Sequence, residues 1–241
     1  PRLHEFNSQA LANTVWAYAK VGNYSPHLFD KITKIALPRL NEFSSQSLAN
    51  TVWAYATVGH TSPKLFDKVA KIPLSRLDEF HFQALANTVW AYATVGHSSP
   101  QLFNKVAKIP LSRLDEFNSQ EIANTVWAYA TVDHSSPELF DKIAEIALPR
   151  LGEFNSRALS MTVSAYATIV HSSPELFDMA AEITLPHLHE FSSQALASTV
   201  WSYATVGNSS PQLFDRVAEI ALPRIHEFSS QALSNTVWAY A

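Results

Sequence analysis

Trp16, Trp53, Trp90, Trp127, Trp201 and Trp238 stand at one position of a 37-residue period, with Ser164 in the single gap, and they are all 6 tryptophans of the chain. A fixed period in this range marks a stacked-repeat protein, in which a unit that cannot bury its apolar face alone buries it against the next. The flanking text returns almost unchanged: Ala12 to Ala19 reads as Ala49 to Ala56 and again as Ala86 to Ala93. Beginning each repeat at its phenylalanine gives a partial repeat 1–5, six whole repeats at 6–42, 43–79, 80–116, 117–153, 154–190 and 191–227, and a partial repeat 228–241. Both ends fall inside a repeat, so the expectation is one array excerpted from a longer one, with capping repeats elsewhere.

Composition narrows the chemistry. With no cysteine, thiolate metal sites, iron–sulfur clusters, disulfide scaffolds and cysteine nucleophiles are ruled out. No apolar run approaches the roughly 18–20 residues of a membrane-spanning helix, so no membrane partner is expected. The first residues read as neither a signal nor a transit peptide; a targeting segment would lie upstream of Pro1.

Within a repeat the punctuation predicts two helices and no strand, an all-α α-solenoid of stacked helix–turn–helix repeats. The first opens at a cap such as Ser44 or Asn118, the latter with Glu121 three residues on, and runs to about Val58-Gly59. The second opens at Ser25-Pro26, Ser62-Pro63, Ser99-Pro100, Ser136-Pro137, Ser173-Pro174 and Ser210-Pro211, where proline's missing amide hydrogen costs nothing. The remaining prolines, Pro1, Pro38, Pro73, Pro110, Pro149, Pro186 and Pro223, are expected to break it, and Ser75 and Ser112 take the usual place where the break comes two residues early. On a helical wheel Leu48, Val52, Tyr55 and Ala56 form one face and Gln46, Asn50, Ala54 and Thr57 another. Trp53 falls at the seam, and the tryptophan row is expected to pack between repeats.

The text from Phe191 to Phe214, and the core Leu48-Ala49-Asn50-Thr51-Val52-Trp53-Ala54, resembles the octotricopeptide repeat family along the whole chain. Departures are the period of 37 against about 38 in that family, Met161 and Ser164 in the fifth repeat, and the lack of the nuclease-like carboxy-terminal domain of some members. The resemblance implies paired-helix repeats that bind organellar transcripts and control their translation, processing or stability, in the chloroplast or alternatively the mitochondrion, without implying catalysis, and no cofactor is expected.

The residues supply chemistry for such a role. A modular reader offers a few polar side chains per helical repeat to one unstacked base, and two rows fit: Gln9, Gln46, Gln83, Gln120, Gln194 and Gln231, with Arg157 as the exception, and Asn13, Asn50, Asn87, Asn124 and Asn235, with Met161 and Ser198 as exceptions. The plainer roles are a ladder of asparagine amides on neighbouring backbone and a solvated glutamine turn. If one repeat reads one base, near-identical repeats favour the same base and the fifth breaks register. Arg39, Arg76, Arg113, Arg150 and Arg224, in one row with Arg2 and with His187 in the fifth repeat, are candidates to meet phosphates, against a local ion pair with Glu5, Glu42, Glu79, Glu116, Glu153 and Glu227 three residues on.

Other chemistry finds less support. His60, His97, His134 and His171 share a loop position, but equivalent residues of stacked repeats stand on the order of 10 Å apart, too far to share a metal with bonds of roughly 2 Å; solvated loop histidines are expected. No unique Ser/His/Asp set or glycine-rich phosphate loop breaks the repeat, so no enzyme activity is expected. Charge divides the chain: residues 1–120 carry 12 basic and 8 acidic groups, residues 121–241 carry 5 and 13. The expectation is therefore a concave layer of first helices binding single-stranded RNA. The alternative is a protein–protein interaction scaffold holding an extended peptide or partner helix, with the acidic half favouring basic partners.

Overall fold

The computed structural model describes residues 2–76 and 79–241, and of residues 73–75 the backbone alone. Among the described residues there are fourteen α-helices and no strand. Chain order is α1 (Ser8–Lys20), α2 (Pro26–Ala36), α3 (Ser45–Thr57), α4 (Pro63–Arg76), α5 (Phe82–Thr94), α6 (Pro100–Val106) and α7 (Leu111–Leu114), then α8 (Ser119–Thr131), α9 (Pro137–Ala147), α10 (Ser156–Thr168), α11 (Pro174–Thr184), α12 (Ser193–Thr205), α13 (Pro211–Ala221) and α14 (Ser230–Tyr240). The all-α reading holds, and so do two main helices per whole repeat, the third repeat carrying the four-residue α7 besides. Two compact units, Pro1–Arg113 and Leu114–Ala241, are each built by stacking repeats. In the amino-terminal unit α3 packs between α1 and α5; in the carboxy-terminal unit α10 packs against α8 and α12, and α12 against α14. No described helix is long and apolar enough to cross a membrane.

Local sequence places the helix ends. The side chains of Asn7, Ser44, Asn155, Ser192 and Ser229 each accept the amide three residues on, and Asn118 with Glu121 closes a complete capping box, which satisfies amide hydrogens the helix leaves free. At the serine–proline starts the hydroxyl of Ser25, Ser99, Ser136, Ser173 or Ser210 does not cap; the serine carbonyl accepts the first helical bonds instead, as from Leu28 and Phe29 to Ser25. Pro38, Pro149, Pro186 and Pro223 sit in the first turn of 3-10 segments, Leu37–Glu42, Leu148–Glu153, Leu185–Glu190 and Leu222–Glu227, and so end α2, α9, α11 and α13 as expected. α6 ends at Val106, four residues before Pro110. The expected break at residue 73 does not occur, since the backbone of α4 stays helical to Arg76. Pro1, and the side chains of Pro73 and Ser75, lie outside the described residues.

Three contacts join residues far apart in the chain, the first between successive repeats and the other two from one end of a repeat to the other. The first is aromatic: Tyr55, Tyr92, Tyr166, Tyr203 and Tyr240 donate to the carbonyls of Phe29, Phe66, Phe140, Phe177 and Phe214, each 26 residues back, at 2.6–2.8 Å. The paired rings meet edge-on with centroids 4.9–5.2 Å apart. A bonded phenol can be buried without the cost of an unmet hydroxyl, at a net gain of about 1 kcal/mol over the apolar burial of the ring. Burial pushes the phenols of Tyr55, Tyr92, Tyr166 and Tyr203 well above their ordinary pKa. The second contact runs from Ser8, Ser45, Ser119 and Ser193 in the first turn of a first helix to the carbonyls of Glu42, Glu79, Glu153 and Glu227 at the next repeat's threshold. The third is the arginine row described below.

Candidate nucleic-acid interface

Stacking leaves a first helix little surface. Along α3 every side chain is buried except Ser45, Gln46, Asn50, Trp53 and Thr57; along α5 the exceptions are Phe82, Gln83, Asn87, Trp90 and Thr94. In the carboxy-terminal unit α8 shows Ser119, Gln120, Asn124, Trp127 and Thr131, and α10 shows Ser156, Arg157, Met161, Ser164 and Thr168. After the opening residue these lie four, three and four apart, so they spread over only about 60° of a helix turning 100° per residue. Ala54, expected beside Gln46 and Asn50, is fully buried. It lies about 80° from Gln46, under the adjacent helix, and the tryptophan takes its place on the open stripe.

The structure therefore puts the glutamine and asparagine rows on one face in each unit. Gln9, Gln46, Gln83, Gln194, Gln231 and Arg157 are exposed, as is Asn13, while Gln120, Asn50, Asn87, Asn124, Ser198 and Asn235 are half-buried. Gln46, Gln120 and Gln231 each donate to the asparagine one turn on, Asn50, Asn124 and Asn235, at 2.8–2.9 Å. The partner is the same helix and not a neighbouring backbone, so these amides are oriented in pairs at the surface. Each pair leaves the asparagine Nδ2 hydrogens and the glutamine carbonyl for further partners, a donor and an acceptor side by side.

The arginine row is engaged elsewhere. Arg39, Arg76, Arg113, Arg150 and Arg224 each donate to the carbonyl of the phenylalanine 33 residues back, Phe6, Phe43, Phe80, Phe117 and Phe191. Arg39, Arg76, Arg150 and Arg224 also pair with the glutamate three residues on. The Arg76 guanidinium lowers the Glu79 carboxyl pKa, as Arg224 lowers that of Glu227. The pairs are largely solvated and worth little alone; the carbonyl bond ties the end of a repeat to its own opening phenylalanine. In the fifth repeat His187 keeps the partner, Glu190 at 3.0 Å.

The loop histidines are not solvated as expected. After each first helix the chain reverses through a residue of positive φ, Gly59 at 66° for example, and the His60 amide bonds back to the Tyr55 carbonyl, a Schellman-type close. That turn folds the imidazole over the buried tyrosine: His60, His97, His134 and His171 lie edge-on to Tyr55, Tyr92, Tyr129 and Tyr166. His97 and His171 bond Asp67 and Asp141 of the preceding repeat at 3.0 and 2.9 Å. His60 Nδ1 meets the Tyr24 hydroxyl at 2.8 Å, and its Nε2 lies 3.3 Å from Asp30, too poorly aligned for a hydrogen bond. Burial lowers the His60 pKa against the opposing pull of Asp30, and burial lowers that of His134. No group of residues able to hold a metal occurs among the described residues.

The fold and this repeating face define an all-α helical-repeat protein. The model of the family described as RNA-editing substrate-binding complex 6 protein matches residues 2–108 and 150–241. The chain belongs to that family. No curated protein matches it. The match places the chain among RNA-associated helical-repeat proteins and does not support the octotricopeptide repeat family by name.

Proposed function

We propose that the chain binds single-stranded RNA in a sequence-selective manner through the open stripe of its first helices, as a modular reader acting in organellar post-transcriptional regulation. The observation that carries this reading is that the surface left on α3, α5 and α8 is one narrow stripe carrying a glutamine and an asparagine a turn apart, hydrogen-bonded to each other on α3 and α8. Paired donors and acceptors in that line suit the edges of splayed-out bases, the usual targets of sequence-specific RNA recognition. The family's description, which names RNA editing and substrate binding, supports RNA as the ligand, and the octotricopeptide-like wording of the repeat supports an organellar transcript, in chloroplast or mitochondrion. The protein works as a binder without catalysis or cofactor. The arginines act as clasps within each repeat, and the excess of basic groups in the amino-terminal unit supplies the charge that meets phosphates.

A protein-binding scaffold is the second reading, and the net charge of −10 on the carboxy-terminal unit favours it for basic partners. Anisotropy titration of labelled homopolymer RNAs at two salt concentrations separates them. RNA binding gives base-dependent affinity that falls with salt and weakens in Asn50→Ala/Asn87→Ala without loss of helix content. Failure of every RNA to bind near physiological salt returns the stripe to a protein partner.

A further inference from the structure

Trp53 and Trp90 are the only large apolar side chains on the stripe of α3 and α5 beyond its opening residue, and both are half-buried, while the alanines beside them, Ala54, Ala56, Ala91 and Ala93, are buried. A side chain needed only to fill space between repeats would be enclosed like Tyr55 or Tyr92. Instead each indole keeps part of its surface exposed, three residues from a half-buried asparagine. Their ring centroids are 6.5 Å apart and their planes 32° from parallel.

That spacing is about twice the roughly 3.4 Å rise per nucleotide along one strand of a duplex. A strand following the row at one nucleotide per repeat loses the stacking of base on base, and an aromatic face can replace it. We infer that the tryptophans of the first-helix stripe are base-stacking platforms for single-stranded RNA, each holding the base whose edge the adjacent glutamine–asparagine pair addresses. The inference rests on the RNA-binding reading and adds the residues that hold the bases. The amino-terminal unit, with 12 basic and 6 acidic groups, has the charge for a polyanion. The fifth repeat lacks the device: Ser164 replaces the indole, and its hydroxyl is taken up by Ser202 of the sixth repeat at 3.0 Å.

The test uses the full chain with labelled oligouridylate and two double variants, Trp53→Leu/Trp90→Leu and Trp53→Phe/Trp90→Phe, their folding checked by helix content and melting. The leucine pair is expected to bind roughly ten-fold more weakly or worse, with the salt dependence of binding unchanged because no phosphate contact is lost. The phenylalanine pair is expected to keep most of the affinity, and RNA to quench the wild-type tryptophan fluorescence. A folded leucine pair that binds as tightly as wild type overturns the stacking role and leaves the RNA reading standing. Wild type that binds no RNA but binds a proline-rich peptide overturns both, since such a peptide uses the same indole faces.

Discussion

The two units repeat one design with opposite charge. The amino-terminal unit, Pro1–Arg113, carries 12 basic and 6 acidic groups; the carboxy-terminal unit, Leu114–Ala241, carries 5 and 15. Both bury the same tyrosines against the same phenylalanine carbonyls and leave the same stripe open. The architecture is therefore indifferent to surface charge, and a difference of 16 charges is free to serve binding. The units also differ in regularity. Gly22, Gly59 and Gly96 make every described left-handed turn of the first, whereas the second makes three such turns with Asp133, Val170 and Gly207. The irregular fifth repeat, with Arg157, Met161, Ser164 and His187, lies wholly in the second.

If the cores are equivalent, Tyr92→Ala and Tyr166→Ala each cost about 3–5 kcal/mol, measured by denaturant unfolding. Equal losses support a common core; a loss confined to one unit breaks the comparison. The next effect is a gain. Val170 holds a φ of 53° and is 74% exposed, a conformation that strains a β-branched residue by roughly 1–2 kcal/mol with no packing in return. Val170→Gly is expected to raise stability by about 1 kcal/mol and to bring that turn level with Gly59, whereas Gly59→Val lowers it. Unchanged melting in both variants removes strain as the mark of the second unit.

The smallest expected effect is on pH. His60, facing Tyr24, Asp30 and Tyr55, has its pKa lowered by burial. Below the ordinary histidine value of about 6.5 the unfolded chain takes up a proton that the folded chain resists, so stability falls as the pH drops through that region. His60→Asn copies the sixth repeat, where Asn208 bonds Asp178 at 3.0 Å, and is expected to flatten the pH dependence between the ordinary range and the lowered one. An unchanged slope assigns the acid sensitivity to other groups, His134 of the second unit first.

Much of this was legible in the residues. The period implied the all-α repeat, the caps and prolines located most helix ends, and the glutamine and asparagine rows fell on the open face as the wheel implied. The wheel failed at Trp53 and Ala54, because a projection of one helix does not show which flank its neighbours cover. It missed the arginine clasp for a related reason: the glutamate partner is three residues away and visible, while the phenylalanine carbonyl is 33 away and is brought near only when the repeat folds back on its own start. The histidines were misplaced because a loop position says nothing about a turn that folds back over a buried ring.

The sequence alone determined the all-α repeat, its period, its two helices and the polar rows, because these depend on contacts within a turn or two of one helix. Tertiary structure alone decided which side of each first helix stays open, where the arginine and tyrosine donors end, and that the indoles share a line with the amides. Those outcomes depend on groups 26 to 37 residues apart, and their energies exist only once neighbouring repeats have excluded water between them.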